Sequence, residues 1–410
     1  MENKIKLYKT KMNCCGCGAC YTVCPKHAIY MTEDKYGFMY PKISHKKCIK
    51  CGLCMRVCGF QALGEKKAKL DSYAMISKEK KLYNNSASGG AFSVMAQEVL
   101  DKQGYVAGCS MESSHGQLAA QHVIVHDKNE LYRLQGSKYV QSNMGKIYSQ
   151  IKELLDAGQF VLFSGVPCQV SSLKRYLDKE YSNLILVDLV CHGVPSQKMF
   201  KDYLHEVEKK YGMKIQKIVF RDKSKGWSLN GYIAGEKIRS GKKKKVIFNN
   251  RESSYYYLFQ KGLNYRESCY VCPFAGKFRP GDITLGDYWG IEREHMELFS
   301  DSNTSWKKGE AISCVIINTL KGRNFFETCQ NNMNLHRSTY EKISRNNSQL
   351  MAPTSYDDFL RGKIMEEYCH HGYAGVEEWF RKEMGFKLVK IKMKDRVPDK
   401  IKKLVHRAIK

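Results

Sequence analysis

The sequence predicts a small cysteine-rich α+β head, then an α/β body with a mixed sheet, and finally a helical, basic tail. Nine of the 17 cysteines lie within residues 14–58. Strand-turn-helix patterns follow one another from about residue 160, which favours parallel strands with helices packed on them. Residues 385–410 contain ten Lys or Arg and two acidic residues. We therefore expect a head at 1–64, a connector at 65–85, a body at 86–320 and a helical basic region at 321–410.

Composition indicates a folded, intracellular protein. The 410 residues are 43% hydrophobic and 27% charged, which is enough apolar content to bury a core. No run approaches the roughly 18 to 20 apolar residues of a transmembrane helix, and the start MENKIKLYKTKMNCC lacks the apolar block of a secretory signal. We expect a cytoplasmic location, where thiols stay reduced and serve as metal ligands rather than disulfides.

The head contains the same cysteine spacing twice. Cys14, Cys17, Cys20 and Cys24-Pro25 follow C-x2-C-x2-C-x3-C-P, and a second run repeats it with Gly59 in place of proline. The head thus resembles the two-cluster bacterial ferredoxin domain, which implies a ferredoxin-like fold and two 4Fe-4S clusters. Zinc knuckles are the alternative, but they rarely use three cysteines at so close a pitch. The expected ligand sets exchange the fourth cysteine: Cys14, Cys17, Cys20 and Cys58 for one cluster, and Cys48, Cys51, Cys54 and Cys24 for the other, with Cys15 outside both.

The body shows alternating elements. The pattern predicts a helix at 89–102, strands at 104–110 and 121–126, and a helix at 143–157 that Gly158 ends. A strand at 160–165 leads to a helix from Val170, and a strand at 184–190 leads to the helix MFKDYLHEVEKKYG. Antiparallel strands are expected within 215–250, with Ser240-Gly241 as a turn, followed by the strands DITLGDYW and AISCVIINT.

Six body segments occur in an order typical of one family. They are SASGGAFS, QGSKYVQS, FSGVPCQVSSLK, DLVCHGVPS, FRDKSKGWS and CYVCPFAGKFRPGDITLGDYWG. Together they resemble the beta subunit of coenzyme F420-reducing hydrogenase and its relatives, including the F420-linked formate dehydrogenase beta subunit and 7-hydroxymethyl chlorophyll a reductase. The resemblance covers about residues 12–320.

The resemblance implies FAD. Its candidate contacts are Ser88, Gly89 and Gly90 at a helix start, where free N–H groups suit a phosphate, and Ser137, Lys138 and Tyr139. The lysine could stabilise an anionic reduced flavin and the tyrosine could stack on the ring. An ordinary helix start and an exposed lysine beside a packed tyrosine remain the alternatives. Arg221 and Trp227 are candidates of second rank.

Four body cysteines are candidates for a third 4Fe-4S cluster. Cys168 and Cys191 follow neighbouring strands, whose carboxyl ends meet at one sheet edge, and a C-x2-C loop supplies Cys269 and Cys272. The resemblance implies the same cluster. Buried free cysteines are one alternative, and a reactive Cys191 thiol beside His192 is another. Cys109, Cys314, Cys329 and Cys369 are expected to be structural.

We expect an oxidoreductase that passes electrons from ferredoxin or another redox protein through the clusters to FAD and a small organic or glycan-related substrate. His192 and Lys138 are the candidates for delivering a proton. A subunit that exchanges electrons between coenzyme F420 and a hydrogenase or formate dehydrogenase is the alternative. No G-x-G-x-x-G follows a strand, so direct NAD binding lacks support. A nucleic-acid-binding function has no recognised module and is not expected, and a homo-oligomer stays open.

The chain is strongly basic, with a formal net charge of +27. Three oxidised clusters would lower this to about +21. In the tail, a helix from Pro398 would place Ile401, Leu404, Val405 and Ala408 on one face among lysines. Docking of this face on the body and weak, peripheral contact with an anionic membrane are both open.

Overall fold

The computed structural model describes residues 5–61, 70–114, 116–224, 226–300 and 305–396. In the head, β1 (Ile29–Glu33) pairs antiparallel with β2 (Met39–Ile43), and two short helices, α1 (Ala19–Thr22) and α2 (Leu53–Arg56), follow the cysteine loops. Each helix starts after a left-handed glycine, Gly18 with φ 80° and Gly52 with φ 75°. Only glycine adopts this conformation freely, so the two copies share one backbone turn.

The body contains further strands and helices. The strands are β3 (Asp71–Ser77), β4 (Tyr105–Ser114), β5 (Gln117–Val125), β6 (Val161–Gly165), β7 (Leu184–Leu189), β8 (Met213–Val219), β9 (Asn230–Lys237), β10 (Lys243–Asn249), β11 (Ile283–Asp287), β12 (Ser313–Ile317) and β13 (Met333–Ser338). The helices are α3 (Lys80–Asn85), α4 (Ala91–Asp101), α5 (Ile147–Asp156), α6 (Pro167–Leu177), α7 (Gln197–Tyr211), α8 (Ser254–Gln260), α9 (Ile291–Glu294), α10 (Leu320–Cys329), α11 (Tyr340–Ser344) and α12 (Asp358–Arg396).

Eight strands form one mixed sheet in the order β13-β3-β12-β11-β7-β6-β4-β5. Strands β4, β6, β7 and β11 are mutually parallel, whereas the remaining pairs are antiparallel. This confirms the expected mixed sheet. Alternate residues of β6 enter different cores: Leu162 packs with α4 and α10, and Val161 and Phe163 pack with α5 and α6. Such two-sided burial explains why the strand is apolar throughout.

The sheet extends beyond the body expected from sequence. Strand β3 lies in the segment 65–85 that we expected to be a connector, and β13 lies in the region 321–410. The two strands pair with each other, and β3 also pairs with β12. Strand β3 has the sequence DSYAMIS, and its residues Ala74, Met75 and Ile76 are buried. Its apolar run YAMI is only four residues long, which is too short for the pattern alone to identify a strand.

The antiparallel strands expected within 215–250 form a separate sheet, β10-β9-β8. Helix α12 lies against α7 and α8, and Tyr368 donates to Asp202 Oδ2 over 2.7 Å. Gly372 and Gly385 interrupt its helical backbone. The amphipathic helix expected after Pro398 lies outside the described residues. Within the described ranges, no helix combines the length and apolar character needed to cross a membrane.

The head packs directly on α6. Ser171 Oγ, on α6, donates to the carbonyl oxygen of Gly59 over 2.9 Å. A Cβ on Gly59 would lie 2.5 Å from the backbone of Ser171 and Ser172, closer than atoms can approach. The glycine that replaces proline in the second cysteine run therefore allows the head to contact the body.

We expect Gly59→Ala to loosen this contact and to destabilise the protein by about 1–3 kcal/mol, the usual cost of overpacking. Gly362→Ala is the matched control. Gly362 lies in α12, and an added Cβ there would meet nothing within 4 Å, so the alanine should raise stability by about 0.5–1 kcal/mol. Chemical denaturation of the two variants measures both effects. Equal stability of Gly59→Ala and the wild type would refute the tight contact.

Candidate functional site

A cavity of about 660 Å³ lies at the carboxyl ends of β6 and β7. This size is typical of a cofactor or small-molecule site. The first residues of α4 and α6 line it, together with the loop after β7. Two helix N-termini therefore face one cavity, and their N–H groups and positive dipole ends favour an anionic ligand.

The four body cysteines line this cavity together. In the parallel register of β6 and β7, Gly165 lies opposite Asp188, so Cys168 and Cys191, each three residues later, leave the sheet at the same level. Cys269 lies in the short 3₁₀ helix Glu267–Val271, and Cys272 follows it. Burial, and to a smaller extent the nearby Cys269 and Cys272 thiols, raise the pKa of Cys191 to about 12.

A buried ion pair fixes the loop that carries Cys272 to the strand that precedes Cys191. Arg279 Nε donates to Asp188 Oδ1 over 3.0 Å, and Nη1 donates to the carbonyl of Phe274 over 2.9 Å. Asp188 also accepts from the Gly281 N–H over 2.8 Å. Both side chains of the pair are excluded from solvent. The hydrogen bonds to their remaining polar atoms offset the free-energy cost of removing the two charges from water.

Cys15 belongs to the head but lines the body cavity. Its buried thiol packs in one cluster with Cys17 and Cys168, and the interaction with Cys168 is the main cause of its raised pKa. Ser172 Oγ lies 3.1 Å from Cys17 Sγ and 2.7 Å from the Cys168 carbonyl oxygen. A head cysteine and a body cysteine are thus neighbours. Sequence reasoning set Cys15 aside because it falls outside the repeated spacing.

The structure groups the head cysteines in two sets. Cys24 lines a small cavity together with Cys48, Cys51 and Cys54 of the second run. In the other set, burial raises the pKa of Cys20, and the neighbouring Cys17, Cys14 and Cys58 thiols raise it further. Cys24, the fourth cysteine of the first run, therefore lies with the second run, and Cys58, the fourth cysteine of the second run, lies with the first.

Arg266 connects the head with the cavity wall. Its side chain is fully buried and contacts the head through Nη1 to the Cys14 carbonyl, 3.3 Å, and Nη2 to the Met39 carbonyl, 2.9 Å. Its guanidinium also lies 4.5 Å from the Tyr40 ring centroid, within cation–π range. The backbone N–H of Arg266 donates to the carbonyl oxygen of Val194 over 3.0 Å, and Val194 lies in the loop after Cys191.

The SASGG turn lies at the cavity, although its residues differ in role. Ser88 lines the cavity and donates through Oγ to the Ile312 carbonyl over 2.9 Å. Gly89 faces the sheet instead, because a Cβ there would lie 2.1 Å from the Met75 carbonyl oxygen. Gly90 lines the cavity and precedes α4, whose first turn has no side-chain cap.

Ser137, Lys138 and Tyr139 also line the cavity. Lys138 Nζ donates to three carbonyls, those of Arg133, Leu134 and Gln135, at 3.2, 2.9 and 2.8 Å. Burial lowers its pKa to about 8. All three ammonium donors are therefore already engaged. Tyr139 stacks on Phe259 with ring centroids 4.2 Å apart.

His192 lines the cavity, and hydrogen bonds from Gln349 and Thr354 fix its position. Gln349 Nε2 donates to its Nδ1 over 3.3 Å, which leaves the ring proton on Nε2, and Thr354 Oγ1 donates to its carbonyl over 2.7 Å. Surrounding protein lowers the pKa of His192, so the ring is neutral at neutral pH.

Arg221 lies at the cavity, although the sequence made it only a secondary candidate for contacting a cofactor. It lines the cavity beside Asp287, whose Oδ2 accepts from Nη1 over 2.8 Å. The guanidinium lies 5.4 Å from the ring centroids of both Trp227 and Trp289. Among the described residues, its buried Nη2 has no hydrogen-bond partner. Because a buried charged donor normally has a hydrogen-bond acceptor, the free Nη2 indicates that a ligand supplies that acceptor.

Comparisons with known protein families match two separate parts of the chain. Residues 158–342 match the family model for the C terminus of the coenzyme F420 hydrogenase/dehydrogenase beta subunit, and residues 13–62 match the 4Fe-4S dicluster domain. A segment similar to the C terminus of that beta subunit therefore follows a segment similar to a 4Fe-4S dicluster domain.

A chain of the F420-reducing [NiFe] hydrogenase complex from Methanosarcina barkeri is similar over 78% of this chain and 95% of that chain, with 16% sequence identity and a TM-score of 0.38. None of the curated proteins matches significantly. The beta-subunit match begins before β6 and includes Cys168, Cys191, Cys269 and Cys272. The dicluster match supports iron-sulfur clusters in the head.

Arg279→Met should destabilise the protein by about 3–5 kcal/mol, because it leaves the Asp188 carboxylate buried without its cation. Adding Asp188→Asn removes that charge, so the double variant should recover part of the loss. Chemical denaturation of the single and double variants gives the coupling. If Arg279→Met and the double variant were equally destabilised, the ion pair would not be the interaction that fixes this loop.

Proposed function

We propose that the chain is an iron-sulfur flavoprotein oxidoreductase. Electrons would enter from ferredoxin or another redox protein, pass through two head clusters and a third cluster in the body, and reach an organic substrate through FAD. One observation carries the proposal: a single cavity is lined by four body cysteines, by Cys15 of the head and by the Ser88 turn at the start of α4. The proposed iron-sulfur ligands thus line a space large enough for a cofactor.

The proposed ligands of the head clusters are the two groups of neighbouring cysteines. Cys14, Cys17, Cys20 and Cys58 would hold the cluster nearer the body, and Cys24, Cys48, Cys51 and Cys54 the other. Cys17 is the ligand that contacts Ser172 of α6. Electrons would therefore cross from head to body beside Cys15 and Cys168.

The proposed third cluster uses Cys168, Cys191, Cys269 and Cys272. As a free thiol, Cys191 would stay protonated at neutral pH, because burial raises its pKa to about 12. A protonated thiol is a poor nucleophile, which argues against a reactive Cys191–His192 pair. Soft metal ions, in contrast, select and deprotonate such thiols.

The cavity residues fit a flavin. The uncapped start of α4 at Gly90 suits a phosphate, and the aromatic ring of Tyr139 lies at the wall beside Arg221. FAD, when bound, would supply the exchange between one-electron clusters and a two-electron organic substrate. His192 would hold the Nε2 proton toward the cavity, because Gln349 occupies Nδ1.

Arg221 is better placed than Lys138 to supply positive charge beside the flavin. The Lys138 ammonium directs its three donors at backbone carbonyls. Arg221 retains a buried Nη2 with no partner among the described residues and lies 3.5 Å from the Tyr139 hydroxyl through Nη1. A cation there would stabilise the anionic reduced flavin and raise its potential.

The alternative proposal is a subunit that exchanges electrons with coenzyme F420 for a hydrogenase or formate dehydrogenase. The family name of the match at residues 158–342 favours it. Reduction of F420 by the purified chain with reduced ferredoxin would support this alternative. Failure with F420, combined with flavin reduction by ferredoxin, would favour an organic or glycan-related substrate.

The cluster assignment predicts about twelve iron atoms per chain in protein purified without oxygen. Cys269→Ser should reduce the count to about eight and slow flavin reduction, because one cluster loses a ligand. Cys369→Ser changes an exposed cysteine of α12 and should keep all twelve. Iron analysis and a visible spectrum measure both. Full iron in Cys269→Ser would exclude this cysteine as a ligand.

If Arg221 rather than Lys138 supplies the positive charge beside the flavin, Arg221→Gln and Lys138→Met should change the flavin midpoint potential differently. Arg221→Gln should lower the flavin midpoint potential, because the cavity would lose the cation proposed to stabilise the reduced anion, whereas Lys138→Met should change it much less. Spectroelectrochemical titration of the bound flavin gives both values. A larger shift in Lys138→Met would return this role to the lysine.

A further inference from the structure

A second cluster of metal-binding side chains lies on the opposite part of the sheet, at its edge strand β13. The ligand atoms of His295, Glu297 and His336 lie within 4.8 Å of one another. His295 Nδ1 lies 2.9 Å from Glu297 Oε1 and 3.1 Å from His336 Nε2, and His336 Nε2 lies 3.4 Å from Glu297 Oε1. We propose that these three residues bind one divalent first-row transition metal ion, with zinc as the best match.

The three atoms form a triangle of the right size for such an ion. Zinc bonds to histidine nitrogen and carboxylate oxygen are about 2.0–2.2 Å long. An ion about 2.05 Å from all three atoms would sit about 1 Å out of their plane, on the side where a fourth ligand completes a tetrahedron. The spacing of the three atoms is therefore compatible with their binding one ion.

The ligand chemistry selects the class of ion. Two imidazoles and one carboxylate suit zinc and other late divalent transition metals, whereas Mg²⁺ and Ca²⁺ prefer oxygen ligands alone. Glu297 has a side-chain exposure of 61%, so solvent reaches the site and water can occupy the fourth position. The buried His295 and the half-buried His336 supply the less mobile part.

A supporting hydrogen bond orients the buried histidine. His295 Nε2 lies 2.9 Å from Ser338 Oγ, which in turn lies 2.6 Å from the fully buried Tyr288 hydroxyl. Ser338 Oγ can accept from Nε2–H, which leaves the Nδ1 lone pair for the metal. Bonding of the outer nitrogen to a polar group is usual for metal-ligating histidines.

The position of the ligands indicates what the ion would do. His295 and Glu297 belong to the segment after α9, whereas His336 lies in β13, which pairs through β3 with the rest of the sheet. A bound ion would therefore attach the 291–299 segment to the exposed edge of the sheet. This role is independent of the cavity and of its proposed cofactors.

The test uses the full-length protein with its clusters, purified without oxygen and incubated with zinc. X-ray absorption at the zinc edge should give about one ion per chain with nitrogen and oxygen ligands at about 2.0–2.1 Å. Zinc in vacant cysteine sites would instead show sulfur at about 2.3 Å. A sulfur-only signal would overturn the proposal.

His336→Gln should lower the zinc affinity at least tenfold, and the exposed Glu297→Gln, which does not disturb the core, should do the same. His371→Gln is the matched control, because His371 also contacts a glutamate, Glu367, at 3.1 Å but on an exposed helix without a third ligand. The control should retain wild-type affinity. Equal zinc binding by His336→Gln, Glu297→Gln and His371→Gln would refute the site.

Discussion

The burial of Arg266 is the constraint on which the arrangement of the two domains depends. A guanidinium cannot be taken out of water unless its donors are satisfied. Two of its donors bind carbonyls of the head, at Cys14 and Met39, and a third binds Gln141 Oε1 over 3.0 Å. The charge is therefore compensated only when the head occupies this position. Because Cys269 follows three residues later, the same contact sets the cavity wall relative to the head.

A second constraint acts inside the body. The Asp188–Arg279 pair closes the loop after Cys272 against the end of β7, and the buried partners of Arg279 leave it little freedom. Together, Arg266 and Arg279 hold the short cysteine segment from both ends. Four thiols from three separate pieces of chain can then share a cavity, although none of them lies close in sequence to all the others.

The proposed electron route follows from these packing contacts. Gly59 lets the head approach α6, and Ser172 on that helix lies beside both Cys17 and Cys168. Cys15 packs between cysteines of the head and cysteines of the body, and it lines the cavity. The odd cysteine of the head thus has a position at the interface, which its place outside the spacing motif could not reveal.

The sequence by itself determined the two cysteine runs, the parallel strands β6 and β7, and the edge where Cys168 and Cys191 emerge, because short spacings and continuous apolar runs are local signals. Only the tertiary structure decided what depends on distant contacts. Strand β3 has an apolar run of only four residues, too short to identify a strand from sequence, and its pairing with β12 and β13 appears only in the fold. Lys138 turns its donors to backbone carbonyls, while the Nη2 of Arg221 has no partner among the residues that the structure describes. The grouping of His295, Glu297 and His336 likewise requires a loop and an edge strand to meet, which no spacing along the chain encodes.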